Sequence, residues 1–314
     1  MVTPEPPLID VQHATKRFGP RGGELGPPVV DDVSLAVPKG EFLVVLGESG
    51  SGKTTLLKAI NRLVPLTAGT IAVEGKAIAK GSPAKLRRRI GYAFQGIGLF
   101  PHLTVAQNVA ITPRLLRWKP VDIEARVEAL LRLVGLPADE YRNRMPTELS
   151  GGQQQRVGVA RALAAKPGIM LLDEPFGALD PLTRDELQGQ YRTIHDRLGL
   201  TTVMVTHDMT EALLLADRIA VMREGKLLQV GTPHELLASP SAGYVTKLMS
   251  KPRQQADRVE AMLRGDMLSP IGDQRVRVED RIELEPAGRG SDSSEAQPGP
   301  PDDSDDALDG EDAR

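Results

Sequence analysis

The apolar residues of the chain fall into short β-prone runs that alternate with helical segments. Three runs, at residues 42–46, 169–172 and 202–206, are apolar at most positions. Continuous runs of this length predict strands with both faces buried. Strands that alternate with helices form a mostly parallel sheet covered on both faces, so the pattern predicts an α/β fold.

Weaker strand patterns surround this predicted core. They lie at residues 8–11, 29–37, 69–76 and 90–94. Residues 219–222 and 226–230 flank the turn sequence Arg223-Glu224-Gly225, and together they predict a closing hairpin.

A long helical segment separates the strand at 90–94 from the strand at 169–172. The pattern is helical over residues 104–136 and again over 149–165. Spacings of i, i+4, i+7, i+8 and i+11 place on one helix face the apolar residues Ile123, Val127, Leu130, Leu131 and Val134. We therefore predict a helical insertion at about residues 102–155, within a domain that covers residues 1–238.

The C-terminal part of the chain gives a weaker signal. Residues 241–250 and 257–263 are two candidate helices in a short, partly helical extension at 239–285. Residues 286–314 are rich in Gly, Pro, Ser and acidic side chains and almost without apolar ones, which predicts a disordered acidic tail. Such a tail is an interaction segment or, more commonly, solvating disorder.

A glycine-rich segment lies between a predicted buried strand and a predicted helix. It reads Gly47-Glu48-Ser49-Gly50-Ser51-Gly52-Lys53-Thr54, fits the phosphate-binding motif G-x-x-x-x-G-K-[ST], and continues into the helix at Thr55. Backbone N–H groups of such a loop point toward phosphate oxygens, and the helix dipole adds to the attraction. We predict that residues 47–55 hold ATP; the alternative is a glycine turn before a helix.

Polar residues also follow the other two buried strands. Asp173-Glu174 and His207 come directly after them, and ligands of parallel sheets sit at the carboxyl ends of strands. Lys53 is placed to reach the β- and γ-phosphates, while the Thr54 hydroxyl and Asp173 are placed to hold Mg²⁺. Glu174 is placed to polarise the attacking water. An Asp-Glu pair in this position can instead be a turn or a helix cap.

A second anion-binding pattern occurs at Leu149-Ser150-Gly151-Gly152-Gln153, directly before a helix. Together with the phosphate loop, Gln95, Asp173-Glu174, Ala178-Leu179-Asp180 and His207, in that order, this signature resembles the ATP-binding cassette (ABC) ATPases over about residues 8–237. The resemblance implies a P-loop NTPase core of ABC type, with an antiparallel β subdomain and a helical insertion subdomain.

The resemblance also implies how the second anion site is used. Two cassettes would pair head to tail as a homodimer, and each signature would meet the γ-phosphate bound by its partner. The signature contacts would come from Ser150, Gly151, Gly152 and Gln153. Gln95 would contact Mg²⁺ and sense the γ-phosphate, and Asp180 would lie across the dimer interface. His207 would hold the γ-phosphate and orient Glu174.

Phe18 stands where such ATPases usually carry a tyrosine that stacks on adenine. An aromatic face is sufficient for stacking, so the resemblance makes Phe18 an adenine contact. The loop after it is long and rich in Gly and Pro, so a core aromatic residue is the alternative.

The segment after Gln95 resembles one group of importer subunits. Residues 95–105 and 177–184 are similar to those of ATPases for quaternary-amine osmoprotectants such as glycine betaine, choline and carnitine, and the second stretch fits neighbouring importers nearly as well. These ATPases often carry two regulatory domains after the cassette. In this chain only about 50 residues lie between the predicted cassette and the acidic tail, and that is too few to form two such domains.

Composition limits the cellular locations and the classes of binding partner that fit this protein. The absence of cysteine excludes disulfides and thiolate metal sites. The start of the chain shows no signal-peptide pattern, and no apolar run approaches the roughly 18 residues of a membrane span. Of 39 basic and 42 acidic residues, one basic and nine acidic lie in residues 291–314, so residues 1–290 carry a net charge of +5. No concentrated basic stripe indicates a nucleic-acid partner.

These observations predict the ATPase subunit of an ABC importer. We expect two copies beneath integral membrane permease subunits at the cytoplasmic face of the membrane, together with a substrate-binding protein. The expected solute is a quaternary-amine osmoprotectant such as glycine betaine, and the alternative is another small solute such as an amino acid. A soluble cassette ATPase acting on DNA or ribosomes is the alternative class.

Overall fold

The structure is a computed structural model that describes residues 6–20, 23–94, 96, 98–177, 179–241 and 243–264. Residues 1–260 fall in one unit, and residues 261–314 in a second, of which only 261–264 are described. The strands are β1 Ile9–Arg17, β2 Pro28–Val37, β3 Phe42–Leu46, β4 Ala68–Val73, β5 Lys76–Ala77, β6 Ile90–Ala93, β7 Ile169–Asp173, β8 Thr201–Thr206, β9 Arg218–Arg223 and β10 Lys226–Gly231. The helices are α1 Lys53–Ile60, α2 Pro83–Arg87, α3 Val105–Leu115, α4 Pro120–Leu133, α5 Ala138–Tyr141, α6 Gly151–Leu163, α7 Pro181–Leu198, α8 Met209–Leu215, α9 Pro233–Ala238 and α10 Tyr244–Leu263.

A six-stranded sheet in the order β10-β9-β3-β8-β7-β6 forms the centre of the molecule. Strands β9, β3, β8, β7 and β6 are parallel, and β10 pairs antiparallel with β9 as the predicted hairpin. Along β3, Phe42, Val44 and Leu46 pack in one apolar cluster with the helices of the insertion, while Leu43 and Val45 pack in a second with α1. Both faces are buried, which explains the continuous apolar runs and confirms the predicted α/β fold.

A second sheet, in the order β2-β1-β4-β5, is antiparallel. Strand β1 of this sheet is longer than the four residues at 8–11 that the sequence predicts. The apolar alternation of β1 stops after Val11 because the register shifts there. His13 and Asp32 both have positive φ, 51° and 52°, and the His13 Nδ1 and Asp32 Oδ1 atoms lie 2.8 Å apart. These bulges carry the strand on to Arg17 and bring Ala14 back to the buried side.

The insertion between β6 and β7 is helical, as predicted. Helices α3, α4 and α6 pack on one another, with α5 and a 3-10 turn at Pro146–Glu148 between α4 and α6. The predicted apolar face of α4 is buried: Ile123, Val127, Leu130 and Leu131 lie in the core together with Val134, which follows the helix.

The two helices predicted at 241–250 and 257–263 are in fact one. Helix α10 runs without interruption from Tyr244 to Leu263, so the prediction of two helices was wrong. Residues 251–256 contain a single apolar side chain besides proline, and the periodicity therefore shows two stretches where the backbone forms one helix. Residues 265–314, including the predicted acidic tail, lie outside the described residues, and the proposed boundary at 238 stays a prediction.

Candidate nucleotide-binding site

The three predicted polar strand ends lie side by side. In the central sheet β8 is between β3 and β7, with Leu46 paired to Thr206 and Val205 paired to Asp173. The residues that follow are Gly47, His207 and Glu174, so all three connections leave the same edge of the sheet. This edge is where parallel sheets bind ligands, and it gathers the predicted groups into one site.

The phosphate loop joins β3 to α1 in a conformation that needs glycine. Gly50 and Gly52 have φ of 83° and 97°, and Gly52 is the N-cap of α1. A Cβ atom on Gly52 would lie 2.3 Å from the Val29 carbonyl oxygen, and one on Gly47 would lie 2.2 Å from that of Met222. The loop is therefore pressed against β2 and β9, and its amides stand at the N-terminus of a helix.

Lys53 is enclosed by the loop and is only 4% exposed. Its Nζ donates hydrogen bonds to the backbone oxygens of Gly47, at 2.7 Å, and Glu48, at 2.8 Å. Burial lowers the pKa of Lys53, and the nearby carboxylates of Glu174, Asp173 and Glu48 oppose that shift. A bound phosphate would offer the ammonium group charged acceptors in place of these neutral carbonyl oxygens.

Two of the residues predicted to hold Mg²⁺, Thr54 and Asp173, are in contact. The Thr54 hydroxyl donates to Oδ1 of Asp173 at 2.8 Å, and the Tyr92 hydroxyl donates to Oδ2 at 3.2 Å. Asp173 is 2% exposed, and its carboxylate raises the pKa of Tyr92 in addition to the effect of burial. Within the described residues no three His, Asp or Glu side chains are grouped as metal ligands. Two oxygen donors fit a Mg²⁺ ion that takes its remaining ligands from phosphates and water.

Glu174 and His207 face each other across the end of β8. His207 Nδ1 lies 3.3 Å from Glu174 Oε1, and the two side chains are 55% and 17% exposed. Glu174 has φ of 45°, and its N–H donates to the Val205 oxygen at 3.0 Å, which continues the β7–β8 ladder past the strand end. A non-glycine residue in this region is strained and must be held by its surroundings. In this backbone conformation the carboxylate faces the imidazole.

The signature forms the N-terminus of α6. The Ser150 hydroxyl accepts from the Gln153 N–H at 3.3 Å, and Oε1 of Gln153 accepts from the Ser150 N–H at 3.0 Å, a capping box. The Gln153 side chain also donates to Tyr141 at 3.2 Å, so both ends of its amide are engaged within the insertion. Contact of Ser150, Gly151, Gly152 and Gln153 with nucleotide stays a prediction.

The signature lies next to the start of α7, where Asp180 is the N-cap. Asp180 Oδ1 accepts from the Thr183 N–H at 3.1 Å, and hydrogen bonds with Thr183 lower the pKa of Asp180. A Cβ atom on Gly152 would lie 2.5 Å from Thr183 Cγ2, so α6 and α7 meet closely there. Gly151 is exposed and has open space around it. Gly151 and Asp180, two of the residues predicted to lie at the interface with a second cassette, are therefore on one surface.

The remaining predicted contacts are less defined. Gln95 lies outside the described residues, so its predicted role with Mg²⁺ has no geometry here. Phe18 is 49% exposed, with the Lys16 Nζ 4.7 Å from its ring centre, which removes the alternative of a core aromatic residue. An exposed ring is compatible with stacking on adenine, and that contact stays a prediction.

Two residues of the site region, Tyr92 and Asn108, were not identified from the sequence. Tyr92 is a residue with a polar hydroxyl in the strand next to β7, and this feature alone did not indicate its contact with Asp173. Asn108 gave no signal, because a buried amide in a helix has no distinguishing spacing. It is fully buried, accepts a hydrogen bond from the Phe100 N–H and donates to the Phe100 and Leu103 oxygens. It therefore holds the segment that links the Gln95 region to α3.

We expect Asn108→Ala to lower the free energy of unfolding by about 1–3 kcal/mol, because it removes the hydrogen bonds that this buried amide makes with the backbone of Phe100, Leu103 and Thr104. Urea denaturation measures this. Asn61→Ala is the matched control, since Asn61 is also buried but its Oδ1 accepts no hydrogen bond within the described residues. An equal loss in both variants would contradict the organising role of Asn108.

Comparisons with known proteins identify the family to which the chain belongs. A protein-family model described as ABC transporter matches residues 30–177. The chain is 47% identical over 244 residues to the glycine betaine uptake system ATP-binding protein YehX of Escherichia coli (strain K12), covering 78% of this chain and 77% of that protein. The chain belongs to the ATP-binding cassette family.

Other relatives extend this result. The cassette is 47% identical over 246 residues to the carnitine transport ATP-binding protein OpuCA of Listeria monocytogenes, covering 78% of this chain. It spans only about 60% of that protein's length. A dimeric ATP-binding cassette in a post-hydrolysis state, bound to ADP and Pi, superposes with a TM-score of 0.64 at 31% identity and covers 72% of this chain and 98% of its own. These matches confirm the predicted ABC fold, with its P-loop core built on a parallel sheet and its antiparallel β subdomain. No helix in the described part of the cassette is both long and apolar enough to cross a membrane.

Proposed function

We propose that the cassette is the ATP-hydrolysing subunit of an importer for a small solute, most specifically a quaternary-amine osmoprotectant such as glycine betaine. The observation that carries the proposal is the pairing of Glu174 with His207 at the sheet edge that also holds Lys53 and Asp173. This arrangement has a base, a cation and metal-binding oxygens within one strand-end site.

The proposed reaction is attack of water on the γ-phosphorus, with the β-phosphate of ADP leaving. The loop amides and Lys53 hold the phosphates, the Glu174 carboxylate accepts the proton of the water, and His207 keeps that carboxylate in place. Mg²⁺ would be held by Thr54 and Asp173 and would neutralise charge on the β- and γ-phosphate oxygens.

The proposed active state is a homodimer. The surface that carries Ser150, Gly151 and Asp180 would face the phosphate loop of a second copy, so each ATP would lie between two chains. ATP binding would close this dimer and hydrolysis would reopen it. The permease beneath which the two copies dock, at the cytoplasmic face of the membrane, would change its access state with each cycle.

The proposed solute rests on the kinship with glycine betaine and carnitine transport subunits. Substrate choice lies with the permease and the substrate-binding protein, so another small solute is compatible with the same cassette.

Reconstitution tests the proposal. The full chain is co-expressed with candidate permease subunits from the same organism, placed in lipid vesicles, and assayed for ATP hydrolysis with a candidate substrate-binding protein. We expect stimulation of at least about tenfold by binding protein loaded with glycine betaine, together with solute uptake. Stimulation by a different solute would contradict the solute assignment alone. Hydrolysis that responds to ribosomes or DNA, and not to the permease, would contradict the transport function.

A further inference from the structure

A buried carboxyl group that the proposed reaction does not use, that of Glu211, lies four residues after His207 in the chain. Glu211, on α8, is 3% exposed, and its carboxylate makes hydrogen bonds with two buried side chains. Its Oε2 accepts from the Thr206 hydroxyl at 2.6 Å, and its Oε1 accepts from the Gln188 amide at 3.1 Å. Burial raises the pKa of Glu211, while these two hydrogen bonds oppose the shift. A buried acid that is fully engaged by hydrogen bonds fixes the geometry of whatever it joins.

The hydrogen bonds converge on Glu211 from the residues on either side of His207 and from α7. The Thr206 hydroxyl accepts a hydrogen bond from the Asp208 N–H at 3.0 Å and itself donates to Glu211. Asp208 is the N-cap of α8 and accepts from the Glu211 N–H at 3.2 Å. The residues on both sides of His207 are thus fixed by the same carboxyl-bearing helix turn.

The other end of this network is on α7. Gln188 lies in the middle of α7, whose N-cap is Asp180. A second link joins the same two elements, because Arg184 Nη1 of α7 lies 3.4 Å from Asp208 Oδ2. Both links therefore connect α7 to a residue adjacent to His207, one to Thr206 and one to Asp208.

We propose that Glu211 is a positioning residue that couples helix α7, and with it the Asp180 surface that would face a second cassette, to the orientation of His207. A rigid helix that shifts when the Asp180 surface is covered would carry Gln188 with it and move the His207 loop through Glu211. The inference rests on the proposed ATPase function and adds a route by which the dimer surface reaches the catalytic pair.

Replacement of the two network residues by leucine tests this coupling in the full chain. We expect Glu211→Leu and Gln188→Leu each to lower kcat for ATP hydrolysis by about 10- to 100-fold while KM for ATP changes less than about threefold, since the phosphate loop is untouched. The double variant is expected to be no slower than Glu211→Leu alone, because both changes cut one connection. Glu211→Gln is expected to recover most of the rate, since a flipped Gln188 amide can accept from the new one.

The matched control is Gln190→Leu, two residues further along α7, where the amide contacts Arg156 and Glu186 and not the His207 loop. It should keep the wild-type kcat. Thermal unfolding of each variant shows whether a lower kcat results from a destabilised fold or from loss of the coupling between α7 and His207. If Glu211→Leu does not fold, Gln188→Leu decides, because it leaves the Glu211–Thr206 bond intact.

Wild-type kcat in a folded Gln188→Leu variant, or strictly additive losses in the double variant, would overturn the coupling. Absence of hydrolysis in the wild-type chain itself would instead overturn the proposed function.

Discussion

Glu174→Gln is expected to lower the rate of ATP hydrolysis by at least about 100-fold while ATP binding stays within about threefold of wild type. A general base contributes roughly 10²- to 10⁴-fold, and the amide cannot accept the proton of the attacking water. The substitution keeps the size of the side chain that faces His207 at 3.3 Å, and it leaves Lys53 and the loop amides unchanged. Steady-state phosphate release gives the rate, and titration with a fluorescent ATP analogue gives the affinity.

Glu224→Gln is the matched control for this result. Glu224 also has positive φ, 50° against 45° for Glu174, so the backbone consequence of the substitution is the same in both places. Its carboxylate lies beside Arg223, on an exposed turn. We expect wild-type hydrolysis in the control. Undiminished turnover in Glu174→Gln would show that another group, or no protein group, accepts the proton.

Much of the nucleotide site could be predicted because its chemistry is local in sequence. The phosphate loop needs adjacent glycines, a lysine and a helix start, and all of these lie within eight residues. The meeting of Asp173, Glu174 and His207 followed from a general property of parallel sheets rather than from contacts between the residues. The structure places these ends on neighbouring strands, as that property requires.

What could not be predicted depends on contacts that leave no periodic pattern in the sequence. The length of β1 is set by a bulge in which His13 meets Asp32 on another strand. The partners of Asn108 lie in a loop, and those of Glu211 lie on α7 and β8, so no periodicity marks either residue. The continuous course of α10 was missed for the opposite reason, since a local loss of apolar residues was taken as a break in the backbone.

The signature presents the largest gap between sequence and single-chain geometry. Within one chain, the Ser150 cap and Gly152 contact residues of the insertion and of α7. Only the order of motifs implied that this surface meets the phosphate of another copy. A substitution that disturbs that surface and nothing inside the chain is therefore the most direct test of the dimer.

Gly151→Asp is expected to lower ATP hydrolysis by about 10²-fold without loss of stability. Gly151 is the first residue of α6 and a Cβ atom there meets nothing within 4 Å, so the chain accommodates the new side chain. A carboxylate in the first helical turn interacts favourably with the helix dipole, so the free energy of unfolding should be unchanged or slightly higher. In a head-to-tail dimer the same carboxylate would face the γ-phosphate of the partner's ATP, and like charges at that position remove transition-state stabilisation.

Gly189→Asp provides the control, since Gly189 is also exposed, helical and open at its Cβ position, but lies in the middle of α7. It should hydrolyse ATP at the wild-type rate. The decisive measurement combines the two site variants. Glu174→Gln alone should form an ATP-dependent dimer on size-exclusion chromatography, because bound ATP is not consumed. Adding Gly151→Asp should return that protein to a monomer that still binds ATP. A dimer that persists would mean that the signature does not face the partner's nucleotide, and that the surface shared with Asp180 serves another contact.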